Sequence, residues 1–210
     1  MTEPDVVVTD YLLALEAAVF SVMLWLSTAG DADLRLPFVV FFGATALAAL
    51  TGGTVHGFFV GGGSPAGVAL WRATLVALGV VALAAWAIGA RMLLPEDWAR
   101  GLQMAAAAVA LVYVVIVIAR DDRFSIAIAH YLPPTLFMLG AFAAAYRQGR
   151  PSTLPGLIGL GLTLVAALVQ QRRIALSAAY FNHNALYHAI QAVALFLIYW
   201  SARGLVVVSR

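Results

Sequence analysis

The chain has 210 residues, of which 63% are hydrophobic and 10% are charged, and its formal net charge is +2. Soluble domains carry about 25% charged residues, so this composition excludes a soluble enzyme and indicates one polytopic membrane domain over residues 1–210. All twelve basic residues are arginines and cysteine is absent, which excludes a retinal Schiff base, a lysine nucleophile and a thiolate metal site. The net charge is too small and too scattered to indicate a nucleic-acid partner.

Seven apolar runs are long enough to cross the hydrocarbon layer, since a spanning helix needs roughly 20 residues. They predict helices over 7–29, 36–60, 65–90, 100–119, 124–146, 153–170 and 184–202. Polar, glycine-rich or proline-containing breaks separate most of these runs. The predicted fold is therefore an all-α, integral membrane bundle of seven transmembrane helices.

The distribution of arginine predicts the orientation of this bundle in the membrane. Seven arginines fall at the end where the chain terminates and four at the opposite end, while Arg72 lies inside the third run. Because arginine collects on the cytoplasmic side, the N-terminus is expected outside and the C-terminus inside. The alanine- and arginine-rich, lysine-free composition is typical of GC-rich bacteria and predicts the bacterial cytoplasmic (inner) membrane.

Ionisable side chains inside the predicted spans mark a candidate site, because each costs at least about 2.5 kcal/mol on insertion scales. Placed by depth, they all fall in the half of the bundle where the chain begins, which predicts an outward-facing polar pocket. They are Asp10, Glu16, His56, Arg72, His130, His183 and His188.

The histidines suggest a metal site, since three neutral imidazoles with an open position suit catalytic zinc. Asn184, His188 and Gln191 share one face of the seventh helix. The predicted ligands are His56 and His188 with one of His183, His130 or Asn184, and Glu16 is the predicted base. Four alternatives stand beside this hypothesis: hydrogen-bonded interfacial histidines, His183 as a loop residue, a simple Glu16–Arg72 ion pair, and Asp10 as a cap or a residue at the headgroup level.

Two segments resemble the CREST superfamily of seven-helix membrane hydrolases, which includes the alkaline ceramidases and the progestin and adipoQ receptors. They are Gly52-Gly53-Thr54-Val55-His56-Gly57-Phe58 and Phe181-Asn182-His183-Asn184-Ala185-Leu186-Tyr187-His188-Ala189-Ile190-Gln191. Members of that group carry Ser-x-x-x-His on the second helix, an aspartate on the third and His-x-x-x-His on the seventh. Their histidines hold zinc, and the zinc-bound water hydrolyses a lipid amide or ester. The chain is also similar to an uncharacterised bacterial membrane family with the same two segments.

The resemblance is partial when it is followed residue by residue. His56 and His188 fall on zinc-ligand positions, whereas Asn184 replaces the first histidine of the pair and Gly52 replaces the serine. No acidic residue lies between Gly57 and Pro95, so the third-helix aspartate is missing. The resemblance therefore implies either a modified site, completed by His183, His130 or Glu16, or the loss of the metal.

The sequence supports three functional hypotheses. The first is a zinc-dependent hydrolase whose acylated lipid substrate enters from the bilayer, with Arg72 as a candidate oxyanion stabiliser. The second is a non-catalytic sensor or receptor that binds a lipid or small ligand in the same pocket. The third is a proton-coupled transporter, which is disfavoured because the inner half carries no ionisable residue to complete a relay.

Overall fold

The computed structural model describes residues 3–27, 31–59, 63–177 and 180–207. Within these ranges the chain forms seven helices that are long and apolar enough to cross a membrane. They are α1 (Pro4–Trp25), α2 (Ala32–Phe58), α3 (Pro65–Leu93), α4 (Glu96–Ala119), α5 (Phe124–Arg147), α6 (Leu154–Gln171) and α7 (His183–Val207). The described residues contain no strand beyond an isolated bridge between Ser177 and Phe181. The prediction of an all-α seven-helix bundle is confirmed.

Local sequence signals set where these helices begin. Asp31, Ser64 and Asn182 each accept hydrogen bonds from backbone N–H groups in the first turns of α2, α3 and α7, which satisfies donors that have no partner inside a helix. Helix α1 begins at Pro4, three residues before the predicted start, because proline fits the first turn of a helix. This earlier start places Asp10 nearly two turns inside α1.

The helices form a bundle in which the first and last contact each other. Helix α1 packs against both α2 and α7, and α6 packs mainly against α7. Helix α3 is central, with contacts to α2, α4 and α5. Helix α4 lies at the edge, because its contacts are with α3 and, to a small extent, α5. Its remaining apolar surface is exposed and suited to lipid.

One half of the bundle is filled by a tightly packed aromatic core. We call this the C-terminal half, because α1 and α7 both end there. The Phe20 ring stacks on the Tyr199 ring with centroids 4.3 Å apart, and the edge of Phe42 meets Phe20 at 5.6 Å. Phe38 and Phe142 are completely buried beside them. The opposite half, where α1 and α7 begin, is the N-terminal half.

Helices α6 and α7 approach each other closely through small residues. A Cβ atom at Gly159 would lie 2.6 Å from the backbone oxygen of Ala194. The backbone N–H of Gly156 donates to the Ser201 hydroxyl at 2.6 Å. Small residues at such contacts let backbones pack without loss of van der Waals contact, which is a main source of helix association in membranes.

Substitution of Gly159 by alanine is expected to destabilise the bundle by about 1–3 kcal/mol, because α6 must move away from the Ala194 carbonyl to make room. The matched control is Gly161→Ala on the same helix, where an added Cβ meets nothing within 4 Å. That control is expected to be neutral or slightly stabilising, since alanine favours helix more than glycine does. Unfolding followed in lipid–detergent micelles measures both changes. Equal effects of the two substitutions would contradict the close α6–α7 contact.

Candidate functional site

A cavity of about 320 Å³ occupies the N-terminal half of the bundle. Side chains from α1, α2, α3, α5, α6 and α7 line it, and most of these are apolar. Its polar lining includes the following residues: Asp10, His56, Thr74, Tyr131, Asn184, His188 and Gln191. Phe41, whose ring meets the Phe42 ring edge-on, also lines the cavity, so the cavity reaches from the half with the ionisable residues to the aromatic core.

Asp10 and His188 form a buried pair at the wall of this cavity. The Nε2 atom of His188 lies 3.1 Å from Oδ1 of Asp10, and the two residues are only 8% and 4% exposed. The sequence interpretation of Asp10 as a cap at the headgroup level is therefore wrong. The three extra residues at the start of α1 carry Asp10 into the interior, where a carboxyl group needs a partner.

Thr9 contacts the other ring nitrogen of His188. Its hydroxyl lies 2.9 Å from the Asp5 carbonyl and 3.0 Å from the Val6 carbonyl, and both are acceptors for its proton. The same oxygen lies 3.2 Å from Nδ1 of His188, where the tautomer of the imidazole decides which atom donates. Both ring nitrogens of His188 are therefore engaged, Nδ1 by Thr9 and Nε2 by Asp10.

His56 meets a second carboxylate from the start of α1. Its Nδ1 atom lies 2.6 Å from Oε2 of Glu3, and both side chains are half-buried. The Asp5 carboxylate accepts a hydrogen bond of 2.9 Å from the backbone N–H of Asn182, just before α7. The beginning of α1 is thus bound by polar contacts to the end of α2 and to the start of α7.

The other predicted ligands are distributed around the bundle. Asn184 lines the cavity, where its Oδ1 lies 3.4 Å from Nε2 of Gln170. His183 is the first residue of α7 and lies outside the cavity lining. His130 also lies outside it, stacked on the Tyr113 ring at 4.1 Å between centroids.

The two predicted catalytic residues are also outside the cavity lining. Arg72 pairs with Asp122, whose Oδ2 lies 3.4 Å from its Nε, and both side chains are about 40% exposed. Trp71, which does line the cavity, donates from its indole N–H to the Asp122 carbonyl at 2.7 Å. Glu16 is half-buried on α1. The alternative of a Glu16–Arg72 ion pair does not fit, because the arginine's carboxylate partner is Asp122.

The candidate ligands do not form a set that suits zinc. Across the described residues, no three His, Cys, Asp or Glu side chains come together in a geometry that could hold a metal ion. His188 has both ring nitrogens engaged, by Thr9 and by Asp10, so neither offers a lone pair to a metal. His56 retains Nε2 for a ligand, but one imidazole does not make a zinc site. The residues present do not fit the predicted zinc.

Sequence reasoning named Asp10 among the candidate residues but did not pair it with His188, and it missed Glu3. Glu3 precedes the first apolar run and Asp10 was placed near its edge, so neither was connected with His56 or His188. One available signal was their spacing of seven residues, which puts both on the same side of a helix. The polar residues Tyr131 and Gln170 on the cavity wall were missed as well.

The fold and this cavity define an integral membrane protein with a buried polar site between its helices. The chain belongs to DUF6962, a family of unknown function, whose model matches residues 6–206. No curated protein matches the chain, and no solved structure matches it. The family match covers all seven described helices at least in part, including the whole cavity lining.

The Asp10–His188 contact is expected to couple α1 to α7. Each of Asp10→Leu and His188→Leu leaves one buried polar partner unsatisfied and should destabilise the protein by about 2 kcal/mol. The double variant removes both partners and should cost less than the sum, by at least about 1 kcal/mol.

A second double-mutant cycle, with Arg72→Gln and Asp122→Asn, serves as the control. Because the Arg72–Asp122 pair is half-exposed, its coupling energy should be below about 1 kcal/mol. Unfolding of all variants in lipid–detergent micelles supplies the energies. Additive effects of the two leucine substitutions would contradict the buried contact.

Proposed function

We propose that this chain is a membrane-embedded ligand-binding protein, of the sensor or receptor class, and that its ligand occupies the cavity in the N-terminal half. The observation that carries the proposal is the cavity itself, about 320 Å³ in volume and lined mainly by apolar side chains with a few convergent polar groups. Such a lining is typical of sites for small molecules and lipids. The surrounding bilayer supplies apolar ligands directly.

The aromatic packing of the C-terminal half favours ligand binding over transport. Phe20, Phe42 and Tyr199 fill the interior beyond the cavity with stacked and edge-on rings. A translocation path would require these rings to separate. A polar pocket that ends against packed aromatic rings suits a protein that detects or holds its ligand.

A metal-dependent lipid hydrolase is the second candidate. It is favoured by the fact that His56 and His188, at the positions that resemble zinc ligands, both line the cavity. Glu3 on Nδ1 of His56 is also the kind of partner that metal-bound histidines commonly have. The engagement of both His188 nitrogens and the position of Glu16 outside the lining place this candidate behind ligand binding.

The proposed location is the cytoplasmic membrane of a bacterium, with the N-terminus outside. The excess of arginine at the C-terminal end of the bundle supports this orientation. In that arrangement the cavity lies in the outer leaflet, where it is accessible to molecules that partition into the membrane from outside the cell.

Filling the cavity is expected to abolish ligand binding. In Gly52→Leu, the new Cβ meets Thr74 at an ordinary 3.5 Å, and the rest of the side chain extends into the space that a ligand would use. Neutral straight-chain alkanols, alkanones and alkanamides of about six to ten carbons are titrated into protein in lipid nanodiscs. Wild type should give saturable binding by at least one of them, weakened about tenfold or more by the substitution.

Tryptophan emission provides the measurement, because Trp71 lines the cavity, and Trp71→Phe identifies how much of the signal comes from it. The matched control is Gly140→Leu, at an exposed position on α5 where an added Cβ meets nothing within 4 Å. A wild type that binds none of the probes, or binding that survives Gly52→Leu unchanged, would overturn the proposal.

Metal content separates the two candidate functions. Because His188 has no lone pair to offer, wild type purified without chelators and then incubated with zinc is expected to retain less than about 0.1 zinc per chain. Mass spectrometry of the purified protein measures this, beside His56→Ala and His188→Ala. About one zinc per chain, lost in both variants, would reverse the ranking in favour of the hydrolase.

A further inference from the structure

The cavity is long and follows the axis of the bundle. Its lining covers residues 41–56 on α2, 71–85 on α3 and 184–195 on α7. Because an α-helix rises about 1.5 Å per residue, these stretches are about 22, 21 and 16 Å long. The cavity is therefore an elongated pocket, with one end near the start of α7 and the other end deep between the helices.

The two ends of this pocket differ in polarity. The end near the start of α7 carries the polar side chains of Asp10, His56, Asn184 and His188. The deep end, which we call the floor, is formed by apolar side chains, and Phe41 joins it to the aromatic core. The floor residues are Phe41, Ala82, Ala85, Met138, Leu160 and Leu195.

Threonines between the two ends do not extend the polar region to the floor. The hydroxyls of Thr45, Thr135 and Thr163 each donate to a carbonyl of their own helix, at 2.7, 2.8 and 3.2 Å. A hydroxyl has a single proton, so these three side chains have no free donor for a ligand. A polar group that reached the floor would be buried without a partner, which is unfavourable. The head group of a ligand therefore belongs at the polar end.

The volume of the pocket limits how many chains it holds. A volume of about 320 Å³ spread over a length of about 20 Å corresponds to a mean cross-section of about 16 Å². Because non-bonded carbon atoms keep about 4 Å apart, one extended alkyl chain needs about that area and two chains need about twice as much. The pocket therefore accommodates one chain.

We infer that the cavity takes a single-chain amphiphile, whose head group lies beside Asp10, His56 and His188 and whose chain follows the axis of the bundle to the floor. The inference rests on the proposed ligand-binding function and names the class of the ligand. An extended chain advances about 1.25 Å per carbon when its bonds are about 1.5 Å long. The floor therefore limits the chain to roughly 12–16 carbons.

The test is the dependence of binding on chain length. Straight-chain 1-alkanols of about 8 to 18 carbons, which bracket the expected limit, are titrated into wild-type protein in lipid nanodiscs, with Trp71 emission as the signal. Concentrations are expressed as mole fraction in the membrane. Since the chain has apolar surroundings in the bilayer and in the cavity, affinity should vary less than about threefold up to the limit. Longer chains must displace packed floor residues, and affinity should fall at least about tenfold.

Substitutions at the floor are expected to move this limit in opposite directions. Phe41→Leu shortens a floor side chain and should extend the limit by about two carbons, whereas Ala85→Leu fills the floor and should lower it by about two carbons or more. Phe20→Leu makes the first change in the aromatic core, outside the cavity lining. Ala107→Leu makes the second at an exposed position on α4. Both are matched controls and should leave the limit unchanged.

Two further pairs of probes test the orientation and the number of chains. 1,14-Tetradecanediol places a second hydroxyl at the floor and should bind at least about tenfold more weakly than 1-tetradecanol. 1-Monododecanoylglycerol should bind at least about tenfold more tightly than 1,2-didodecanoylglycerol, because the second chain has no room beside the first.

The outcomes separate this inference from the proposed function. Alkanol binding without a limit, or a limit that neither floor substitution moves, would overturn the inference and leave ligand binding intact. Equal binding of diol and alkanol, or of the two glycerides, would contradict the orientation or the single chain in turn. A failure of every alkanol to bind would overturn the inference, and the proposed function with it if alkanones and alkanamides fail as well. If Phe41→Leu does not fold, Ala85→Leu decides alone.

Discussion

The contact between Asp10 and His188 is the interaction on which the rest of the site depends. It joins the first helix to the last, with both residues more than 90% buried. A carboxyl group alone at this depth would be strongly unfavourable, and so would an unpartnered imidazole that is held by Thr9 on one side. Their contact gives each group a partner. This pairing allows polar side chains to remain at the wall of an otherwise apolar cavity.

The two halves of the bundle differ in the contacts that hold them together. In the C-terminal half, aromatic rings from α1, α2 and α7 pack against one another. In the N-terminal half, α1 packs so closely on α2 that a Cβ atom at Gly53 would lie 2.7 Å from the Cβ atom of Asp10. Polar contacts add to this packing, because Glu3 meets His56 and Asp10 meets His188. The start of α1 is therefore held on both sides beside the cavity.

The spans were predictable because the bilayer imposes a length and a composition on each helix, and every predicted span overlaps one helix of the bundle. The pairing of polar residues was not predictable in the same way, since it depends on how each helix is rotated and on which helices touch. Glu16 and His130 show this clearly. Their depth matched that of His188, yet rotation places both of them outside the cavity lining. Asp10 shows the converse, because an error of three residues at the start of α1 moved it from the interior to the membrane surface.

His56 and His188, at the positions that resemble zinc ligands, each contact a carboxylate. In a metal-binding protein, these ring nitrogens would contact the metal ion or a group that orients the histidine. In a metal site, a carboxylate on one ring nitrogen orients the histidine and leaves the other nitrogen for the metal. His56 keeps that arrangement through Glu3. His188 does not, because Asp10 and Thr9 occupy both nitrogens. A single carboxylate on α1 at this depth therefore engages the ring nitrogen of His188 that a metal would use. It turns a potential metal ligand into a hydrogen-bonded link between α1 and α7.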